Sequence, residues 1–372
     1  MNIDPTVLRR EEDASLRLRT LYRQYGYTTF KMSKFEEYDL YVRNKDFLTA
    51  ERAITFTDTD GKLLALKPDV TLSIIKNSRD IEGQTYKVCY NENVYRISES
   101  THTWREIPQV GLECLGVVDL YQKSEVLYLA AKSLEILDRT YLMDISHIGM
   151  LQGALELIDD DKALRDRMMR AVGQKNADEV RSMLSQGLID AHAADVFIAL
   201  LSCDGMLQSV LPTLDALCTN DTMRQAADEL RTLTAILGEE GDMLSHLRLD
   251  FSVVNSMSYY SGLLFQGFIP GIPQSVLSGG QYDKLMRKMG RRADAIGFAV
   301  YPDLLQHLPG DSVRSNDADV LLLYTADDST AQLHRAVRTL IAQGNRVRCA
   351  TTVPDKTTYG RILRLSDVCG KE

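Results

Sequence analysis

The sequence lacks the features that place a protein in a membrane or in a secretory pathway. No stretch of its 372 residues approaches the roughly 20 apolar residues that span a bilayer. The N-terminus, Met1-Asn-Ile-Asp-Pro5, has neither the basic region nor the apolar region of a signal peptide. We therefore expect a cytoplasmic protein that does not associate with membranes.

Paired cysteines are also lacking. The six cysteines are scattered along the chain without any Cys-x-x-Cys motif: Cys89, Cys114, Cys203, Cys218, Cys349 and Cys369. Zinc sites and disulfide frameworks both depend on clustered or regularly spaced cysteines. The sequence therefore predicts reduced thiols and no metal site.

The chain has no excess of positive charge. It carries 43 Lys and Arg against 52 Asp and Glu, a net charge of −9, so no overall field attracts nucleic acid. A local basic patch could still do so. Hydrophobic residues make up 44% of the sequence and charged residues 26%, as in ordinary globular proteins, and the length suits two or three domains.

The most informative pattern is a pair of predicted strands, 86–96 and 107–116, which a polar loop joins. Side chains alternate between the two faces of a strand. One face of the second strand is apolar, while the other carries an amide and a carboxylate on either side of a glycine: Gln109, Glu113 and Gly111. The polar face is either an ordinary solvated face of an antiparallel sheet or, with a hollow over the glycine, the floor of a pocket for a small polar ligand.

A predicted hairpin precedes this strand pair. Asp60-Gly61 is a strong turn signal between two β-rich runs, and Pro68 ends the second of them. Asp69 and Thr71 then open a helix. Either side chain could cap that helix, a contribution of about 1 kcal/mol, or the two could hold an ammonium group. Both functions use the same oxygen lone pairs, so the sequence leaves both alternatives open.

Other periodicities outline the domains. Residues 7–25 have the pattern of an amphipathic helix and 27–41 that of an extended segment, which together form either a dimer face or part of the core. The helical periodicity of residues 150–240 predicts a helical insertion. Residues 308–317 have the composition of a linker, and a β-α-β unit comes after it. The arginines of that last unit indicate a solvated face or, as the minority alternative, a nucleic-acid surface.

Five short motifs, in this order, resemble those of class II aminoacyl-tRNA synthetases and, among them, histidyl-tRNA synthetases. They are Ala65-Leu-Lys-Pro-Asp-Val-Thr71, Gln109-x-Gly-x-Glu113, Tyr259-Tyr260, Ser278-Gly-Gly-Gln-Tyr-Asp283 and Ala295-Ile-Gly-Phe-Ala299. The resemblance implies an α+β fold, with an antiparallel six-stranded sheet flanked by helices in residues 1–149 and 241–307. It also implies that 318–372 is a truncated anticodon-binding-like unit.

The resemblance further implies a pocket for L-histidine. In that family an acidic residue, a threonine and a glutamine surround the α-amino group, while a glutamate and a tyrosine hold the imidazole. Carried over in that order, the positions are Asp69, Thr71, Gln109, Glu113 and Tyr260, and Tyr282, Tyr259 and Arg96 complete the predicted set. The acid is Asp where the synthetases commonly have Glu. A carboxylate suits an imidazole N–H, and a phenol hydroxyl can satisfy the other ring nitrogen.

Departures from the synthetase motifs lie at the positions that handle ATP. Asn255 and Leu304 stand where the synthetases have arginines, and Ser258 stands where they have an aspartate. Arg96 retains the second-motif arginine, but the loop after it is shorter. Preorganised cations usually contribute most to stabilising the charge that develops on phosphate. We therefore expect no catalytic residues, no cofactor and no adenylation.

A sequence that retains the amino-acid pocket but has lost the residues that handle ATP resembles the regulatory subunits of ATP phosphoribosyltransferase. These subunits partner a short-form catalytic subunit in the first step of histidine biosynthesis. The resemblance implies that catalytic subunit as a partner, feedback regulation by L-histidine, and a homodimer through the N-terminal helix and strand. We do not expect nucleic acid as a partner. The alternative is a divergent histidyl-tRNA synthetase, or a related enzyme, that binds tRNA through its basic C-terminus.

Overall fold

The computed structural model describes residues 8–44, 53–78, 83–97, 103–253, 259–308, 316–355 and 357–369. The chain divides into two compact units, Met1–Leu308 and Pro309–Glu372. The first unit contains a large sheet with helices packed on it, a smaller sheet and the predicted histidine pocket. The predicted linker falls largely on residues outside the described part of the chain.

The strands of the first unit that the structure describes are β1 (Thr28–Thr29), β2 (Phe35–Glu37), β3 (Thr55–Thr57), β4 (Leu63–Leu66), β5 (Thr85–Ile97), β6 (Trp104–Gly116), β7 (Leu142–His147), β8 (Gly205–Met206), β9 (Leu247–Leu249), β10 (Leu263–Phe268), β11 (Leu277–Gln281) and β12 (Asp294–Val300). Nine of them form one sheet in the order β1-β5-β6-β12-β11-β10-β7-β9-β8. The six from β5 to β7 in this order are antiparallel throughout, as predicted. The short strands β1 and β9 extend this sheet as parallel neighbours of β5 and β7.

The helices of the first unit, within the same limits, are α1 (Arg10–Gln24), α2 (Tyr38–Arg43), α3 (Thr71–Asn77), α4 (Leu120–Leu137), α5 (Ile148–Leu155), α6 (Lys162–Gly173), α7 (Ala177–Ser185), α8 (Ala191–Ser202), α9 (Leu207–Leu217), α10 (Asp221–Leu237) and α11 (Asp283–Lys288). None of the helices in the described ranges is long and apolar enough to cross a membrane. Helices α5 to α10 occupy the segment predicted as a helical insertion. Their buried side chains belong to the same hydrophobic core as one face of the large sheet.

The N-terminal segment differs from its prediction after α1. Residues 27–41 were expected to be extended, but the structure shows the short strands β1 and β2, and α2 begins at Tyr38. Tyr41 on α2 is only 1% exposed, and it packs with Ala65 of β4 in the core of the smaller sheet. The residues on either side of Tyr41 are equally compatible with a strand. Burial of the Tyr41 ring therefore decides in favour of the helix.

The smaller sheet has the order β2-β4-β3 and contains the predicted hairpin. Gly61 has φ +80°, a conformation that suits glycine, and Asp58 accepts hydrogen bonds from the N–H groups of Asp60 and Lys62. Pro68 comes after β4, and α3 begins at Thr71 as predicted. The hairpin therefore leads the chain directly from the smaller sheet to the predicted pocket.

The second unit contains a parallel three-stranded sheet in the order β14-β13-β15. Its elements among the described residues are β13 (Ala318–Leu323), α12 (Thr330–Ala342), β14 (Val347–Ala350), β15 (Tyr359–Arg364) and α13 (Leu365–Cys369). The predicted β-α-β unit corresponds to β13, α12 and β14. The third strand and α13 were not predicted, because they are short, with six and five residues.

The apolar stripe of α1 lies in the core of its own chain. Ala14, Leu18 and Tyr22 are buried there, and the Tyr22 hydroxyl lies 2.9 Å from the Ser133 Oγ of α4. Of the two alternatives that the sequence left open for this helix, core packing therefore accounts for the stripe. Leu16, on another side of the helix, is 41% exposed.

We expect Leu18→Ala to lower the free energy of unfolding by about 2–5 kcal/mol, because it removes a fully buried side chain from a packed core. The matched control Leu16→Ala should change it by less than about 0.5 kcal/mol. Urea unfolding of both variants at two protein concentrations measures this. Equal losses in the two variants, or a loss that disappears at high concentration, would assign the stripe to an intermolecular interface instead.

Candidate functional site

Glu113 lies in the middle of the large sheet and is only 2% exposed. It pairs with Val88 of β5 on one side and with Gly297 of β12 on the other. Its carboxyl group lies over Gly297, so closely that a Cβ atom at position 297 would overlap Oε2. Glycine at that position therefore leaves the space that the carboxyl group occupies.

Two hydroxyl groups hold this carboxyl group. Tyr282 donates a hydrogen bond from Oη to Glu113 Oε2 at 2.5 Å, and Thr71 donates one from Oγ1 to Oε1 at 2.9 Å. Tyr282 directly precedes α11 and Thr71 begins α3, so these two helices meet at the glutamate. The family resemblance implied that Glu113 and Tyr260 hold an imidazole, with Tyr282 near the ring. In the structure, the hydroxyl at Glu113 belongs to Tyr282.

Burial raises the pKa of Glu113 from 4.5 to about 8, with a further contribution from the neighbouring Asp69. The hydrogen bonds from Tyr282 and Thr71 act in the opposite direction, but they do not outweigh the loss of hydration. At neutral pH the free protein therefore holds a largely protonated acid at the floor of this site. A ligand that supplied positive charge or a further N–H donor would favour the ionised form.

Asp69 caps α3, which was one of its two predicted roles. Its Oδ1 accepts the N–H of Leu72 at 2.8 Å. Burial raises the pKa of Asp69, and the hydrogen bond from Leu72 and the charge of Arg96 oppose that rise. Arg96 also donates from Nε to the Pro68 carbonyl at 2.8 Å, so its side chain lies along the turn that carries Asp69.

Three tyrosines form one side of the site. The rings of Tyr259 and Tyr260 meet edge to face with centroids 4.7 Å apart, and the Tyr259 ring centroid lies 5.7 Å from that of Tyr282. The Tyr260 ring lies on Gly280, where a Cβ atom would come within 2.6 Å of a ring carbon. The predicted glycine pair of β11 therefore provides close approach to an aromatic ring.

The hollow that was expected over Gly111 is filled. Tyr90 of β5, which pairs with Gly111, places its hydroxyl oxygen 2.5 Å from where a Cβ atom at position 111 would lie. The same hydroxyl lies 3.5 Å from the Phe298 carbonyl oxygen. The interpretation of Gly111 as a ligand hollow was therefore wrong, and the carboxyl group of Glu113 uses the space over Gly297 instead.

Gln109 lies on the same face of β6 as Glu113 but at a distance from it. Four residues of strand separate the two, about 13 Å. Gln109 is buried and pairs with Glu92 of β5, whose carboxylate forms a buried ion pair with Lys67. No sequence pattern predicted this ion pair. Its only sequence signal is that Lys67 lies within the motif that ends at Thr71.

The remaining predicted positions divide into two groups. Asn255 and Ser258 lie outside the residues that the structure describes. Leu304 is described, and it is a buried core residue with 7% exposure in the 3-10 helix Pro302–His307. The structure thus brings Asp69, Thr71, Glu113 and the three tyrosines together, with Arg96 beside Asp69 and Gln109 further along the floor.

This arrangement can bind a small ligand that carries several N–H donors. Two acids with raised pKa values, Glu113 and Asp69, lie in a site walled by aromatic rings. Acids favour cationic or N–H-rich groups, and aromatic rings favour planar or cationic ones. The antiparallel sheet and this site on its polar face define a protein of the class II aminoacyl-tRNA synthetase type.

Comparison with known proteins gives the family. Residues 1–305 match the sequence profile described as histidyl-tRNA synthetase, and the chain belongs to that family. Among its relatives, an ATP phosphoribosyltransferase regulatory subunit from Oceanobacillus iheyensis is 28% identical over 312 residues, which cover 82% of this chain and 76% of the relative. The recognition of the chain as a synthetase-like relative of these regulatory subunits is therefore confirmed.

Two solved structures show the same fold. An ATP phosphoribosyltransferase regulatory subunit/histidyl-tRNA synthetase from Bacillus halodurans superposes with a TM-score of 0.77 at 22% identity, covering 98% of each chain. The ATP phosphoribosyl transferase (HisG:HisZ) complex from Thermotoga maritima gives a TM-score of 0.61 at 18% identity, covering 81% of this chain and 98% of that one. At these identities the likeness establishes the fold alone.

The raised pKa of Glu113 predicts a pH-dependent stability. In the unfolded chain the group titrates near 4.5, whereas in the folded protein it titrates near 8. Its contribution to stability is therefore complete below pH 4.5 and is lost as the pH rises to 8, by about 1.4 kcal/mol for each pH unit. Glu113→Gln, which cannot ionise, should unfold with a flatter pH dependence between about pH 5 and 8.

Urea unfolding at about pH 5, 6, 7 and 8 measures this difference. The control is Glu106→Gln on the same strand, because hydrogen bonds from Asn93 and Tyr95 lower the pKa of Glu106 and place its titration below this range. If the parent protein and Glu113→Gln lose stability in parallel over these four pH values, Glu113 is already ionised at neutral pH.

Proposed function

We propose that this chain is a non-catalytic, histidine-binding regulatory subunit of ATP phosphoribosyltransferase. The observation that carries the proposal is the buried carboxyl group of Glu113, held by Tyr282 and Thr71, with Asp69 close by. The names of the relatives support the regulatory role, and the geometry of the pocket supports the ligand.

Histidine fits the chemistry of this pocket at both of its ends. Its imidazole can donate an N–H to Glu113, and in the imidazolium form it provides the positive charge that favours the ionised carboxylate. Its α-ammonium group is complementary in charge to Asp69, which also accepts the N–H of Leu72 at the start of α3. Tyr259 and Tyr260 would then cover the flat imidazole ring. Gln109, buried on the same face of β6 about 13 Å along the strand from Glu113, is the proposed further contact of the α-ammonium group.

This chain lacks two of the arginines with which the synthetases handle ATP. Leu304 fills an apolar core position where the synthetases have a cation, and the sequence has Asn255 at the other arginine position. Arg96 is retained, but its Nε is used by the Pro68 carbonyl. Without two preorganised cations, the charge that develops on the phosphate during adenylate formation lacks its main stabilisation.

Regulation requires a partner that carries the catalytic site. The Oceanobacillus relative is named as a regulatory subunit, and the Thermotoga structure is of a complex that pairs HisG with HisZ. We propose that the partner of this chain is the short-form catalytic subunit and that the two form a cytoplasmic hetero-oligomer. Histidine bound at Glu113 can change the partner's activity only to the extent that it favours one assembly state over another.

The N-terminal region provides a candidate homodimer face in addition to that partnership. Since the stripe of α1 is buried, the face must come from the residues after that helix. Phe35 of β2 is 49% exposed and Phe56 of β3 is 37% exposed, and their rings meet edge to face at 5.3 Å. Two adjacent exposed phenylalanines on one sheet are typical of an interface. A homodimer through the N-terminal segment would use this pair.

The first test is the activity that the synthetase fold would otherwise have. The purified chain should show no histidine-dependent ATP–pyrophosphate exchange and no charging of tRNA. Both assays need a genuine histidyl-tRNA synthetase as the positive control. Exchange at an ordinary enzymatic rate, about 1 per second or faster, would contradict the proposal and favour a divergent synthetase.

The second test is regulation by histidine. Combined with the short catalytic subunit, the parent chain should activate the enzyme and confer inhibition by histidine. Glu113→Ala should retain assembly and activation, but histidine should no longer inhibit, because the N–H acceptor of the pocket is lost. Glu135→Ala, an exposed glutamate of α4, is the matched control and should behave as the parent does.

Calorimetry measures the binding of histidine separately from its effect on the activity of the complex. The parent should bind histidine with a dissociation constant in the micromolar to sub-millimolar range, about −5 to −8 kcal/mol. Glu113→Gln should weaken binding by about 1–3 kcal/mol, because a neutral acceptor replaces a charge-assisted one. Unchanged inhibition in the Glu113→Ala complex would place the histidine sensor on the catalytic subunit.

A further inference from the structure

A strongly basic segment comes after the pocket along the chain. Residues 284–292, which run from α11 towards β12, contain five cationic side chains and no acid: Lys284, Arg287, Lys288, Arg291 and Arg292. The whole protein carries a net charge of −9, so the charge of this segment is opposite in sign to that of the protein. The proposed histidine pocket uses none of these side chains.

Part of this segment lines a cleft with a volume of about 520 Å³. Its lining residues are Arg287, Gly290, Arg291, Arg292, Ala293 and Asp294. Gly290 has φ +76°, a conformation that suits glycine and lets the chain turn back after α11. The turn places arginines from both of its sides around one concave surface.

One of the three arginines is fixed by the fold. Arg291 donates from Nη2 to the carbonyl oxygens of Ile75 and Lys76, both at 3.3 Å, at the C-terminal end of α3. Those carbonyls lie in the last turn of α3, at the negative end of the helix dipole. Arg287 and Arg292 are exposed, so their guanidinium groups are accessible from solvent.

Positive charge exceeds negative charge within the cleft. Of the six described lining residues, three are arginines and Asp294 is the only acid, with Arg287 Nη2 3.9 Å from its Oδ1. Lys284 lies on the same side of α11 as Arg287, one helical turn away. Burial lowers the pKa of Lys284, and the nearby charge of Arg287 lowers it further. Like charges at this spacing repel one another, and a bound anion would relieve that repulsion.

The shape and composition of the cleft select the kind of anion. Its volume lies within the range of about 300–1,000 Å³ that is usual for small-molecule sites. The described lining contains no aromatic side chain on which a base could stack and no large apolar anchor of the kind found in protein interfaces. Guanidinium groups match phosphate oxygens in two parallel hydrogen bonds.

We propose that the cleft between α11 and β12 binds a small metabolite with two or more phosphate groups, through Arg287, Arg291 and Arg292. This site is separate from the histidine pocket and does not depend on the function proposed for that pocket. Arg291 would be the fixed contact, and Arg287 and Arg292 would close on the phosphates from the two sides of the turn.

Binding of inorganic pyrophosphate to the purified full-length chain tests the proposal. Calorimetry at about 50 mM salt, close to the low-salt regime in which exposed charges are weakly screened, should detect binding that weakens as the salt is raised. The double variant Arg287→Gln/Arg292→Gln should weaken it at least tenfold. These two side chains are exposed, so we expect the variant to melt at the same temperature as the parent.

The control is Arg335→Gln/Arg338→Gln on α12, which removes the same charge from exposed positions of the second unit. It should leave pyrophosphate binding unchanged. Loss of binding in both variants would show a response to overall charge, and no binding by the parent at millimolar pyrophosphate would overturn the proposal. So would tighter binding of a poly-glutamate peptide or a single-stranded oligonucleotide in the same calorimeter, because either result would make the cleft a macromolecular surface.

Discussion

The site depends on one buried acid. A carboxyl group at the centre of a nine-stranded sheet must find hydrogen-bond donors or stay protonated, because an unpaired charge there would cost several kcal/mol. The fold supplies a threonine from the start of α3 and a tyrosine from the start of α11, and it leaves a glycine on the adjacent strand where the acid can lie. Three separate parts of the chain are therefore positioned by Glu113.

The same acid would give the proposed pocket its selectivity. Desolvation keeps Glu113 largely neutral in the free protein, and the nearby Asp69 adds to that effect. A ligand that brings an ammonium group and an imidazole changes the balance for both acids at once, because each gains a donor. An amino acid with an uncharged side chain would satisfy only one of them. The pair of acids therefore discriminates in favour of a ligand with two separated basic groups.

The local patterns of the sequence predicted much of this structure, but they could not predict the contacts between residues far apart in the chain. The alternation along β6 placed Glu113 on the polar face, and Asp60-Gly61 located the hairpin, because both signals lie within a few residues. Which partner fills the space over Gly111 depends on the strand that pairs with it, and Tyr90 cannot be assigned to that space from spacing alone. The family resemblance supplied the proposed set of pocket residues, but it did not specify that the hydroxyl group of Tyr282 would contact Glu113.

Helix α3 connects the proposed histidine pocket with the arginine cleft. Its first residue, Thr71, holds Glu113, and the carbonyls near its last turn are held by Arg291. The helix has only seven residues, about 10 Å, so its two ends lie close together. An anion bound to Arg291 would compete for the guanidinium group that holds the end of α3, and through this short helix it would act on Thr71. Linkage would make such an effect reciprocal, so a ligand bound at Glu113 would change the affinity of the cleft for the proposed phosphate ligand by the same factor.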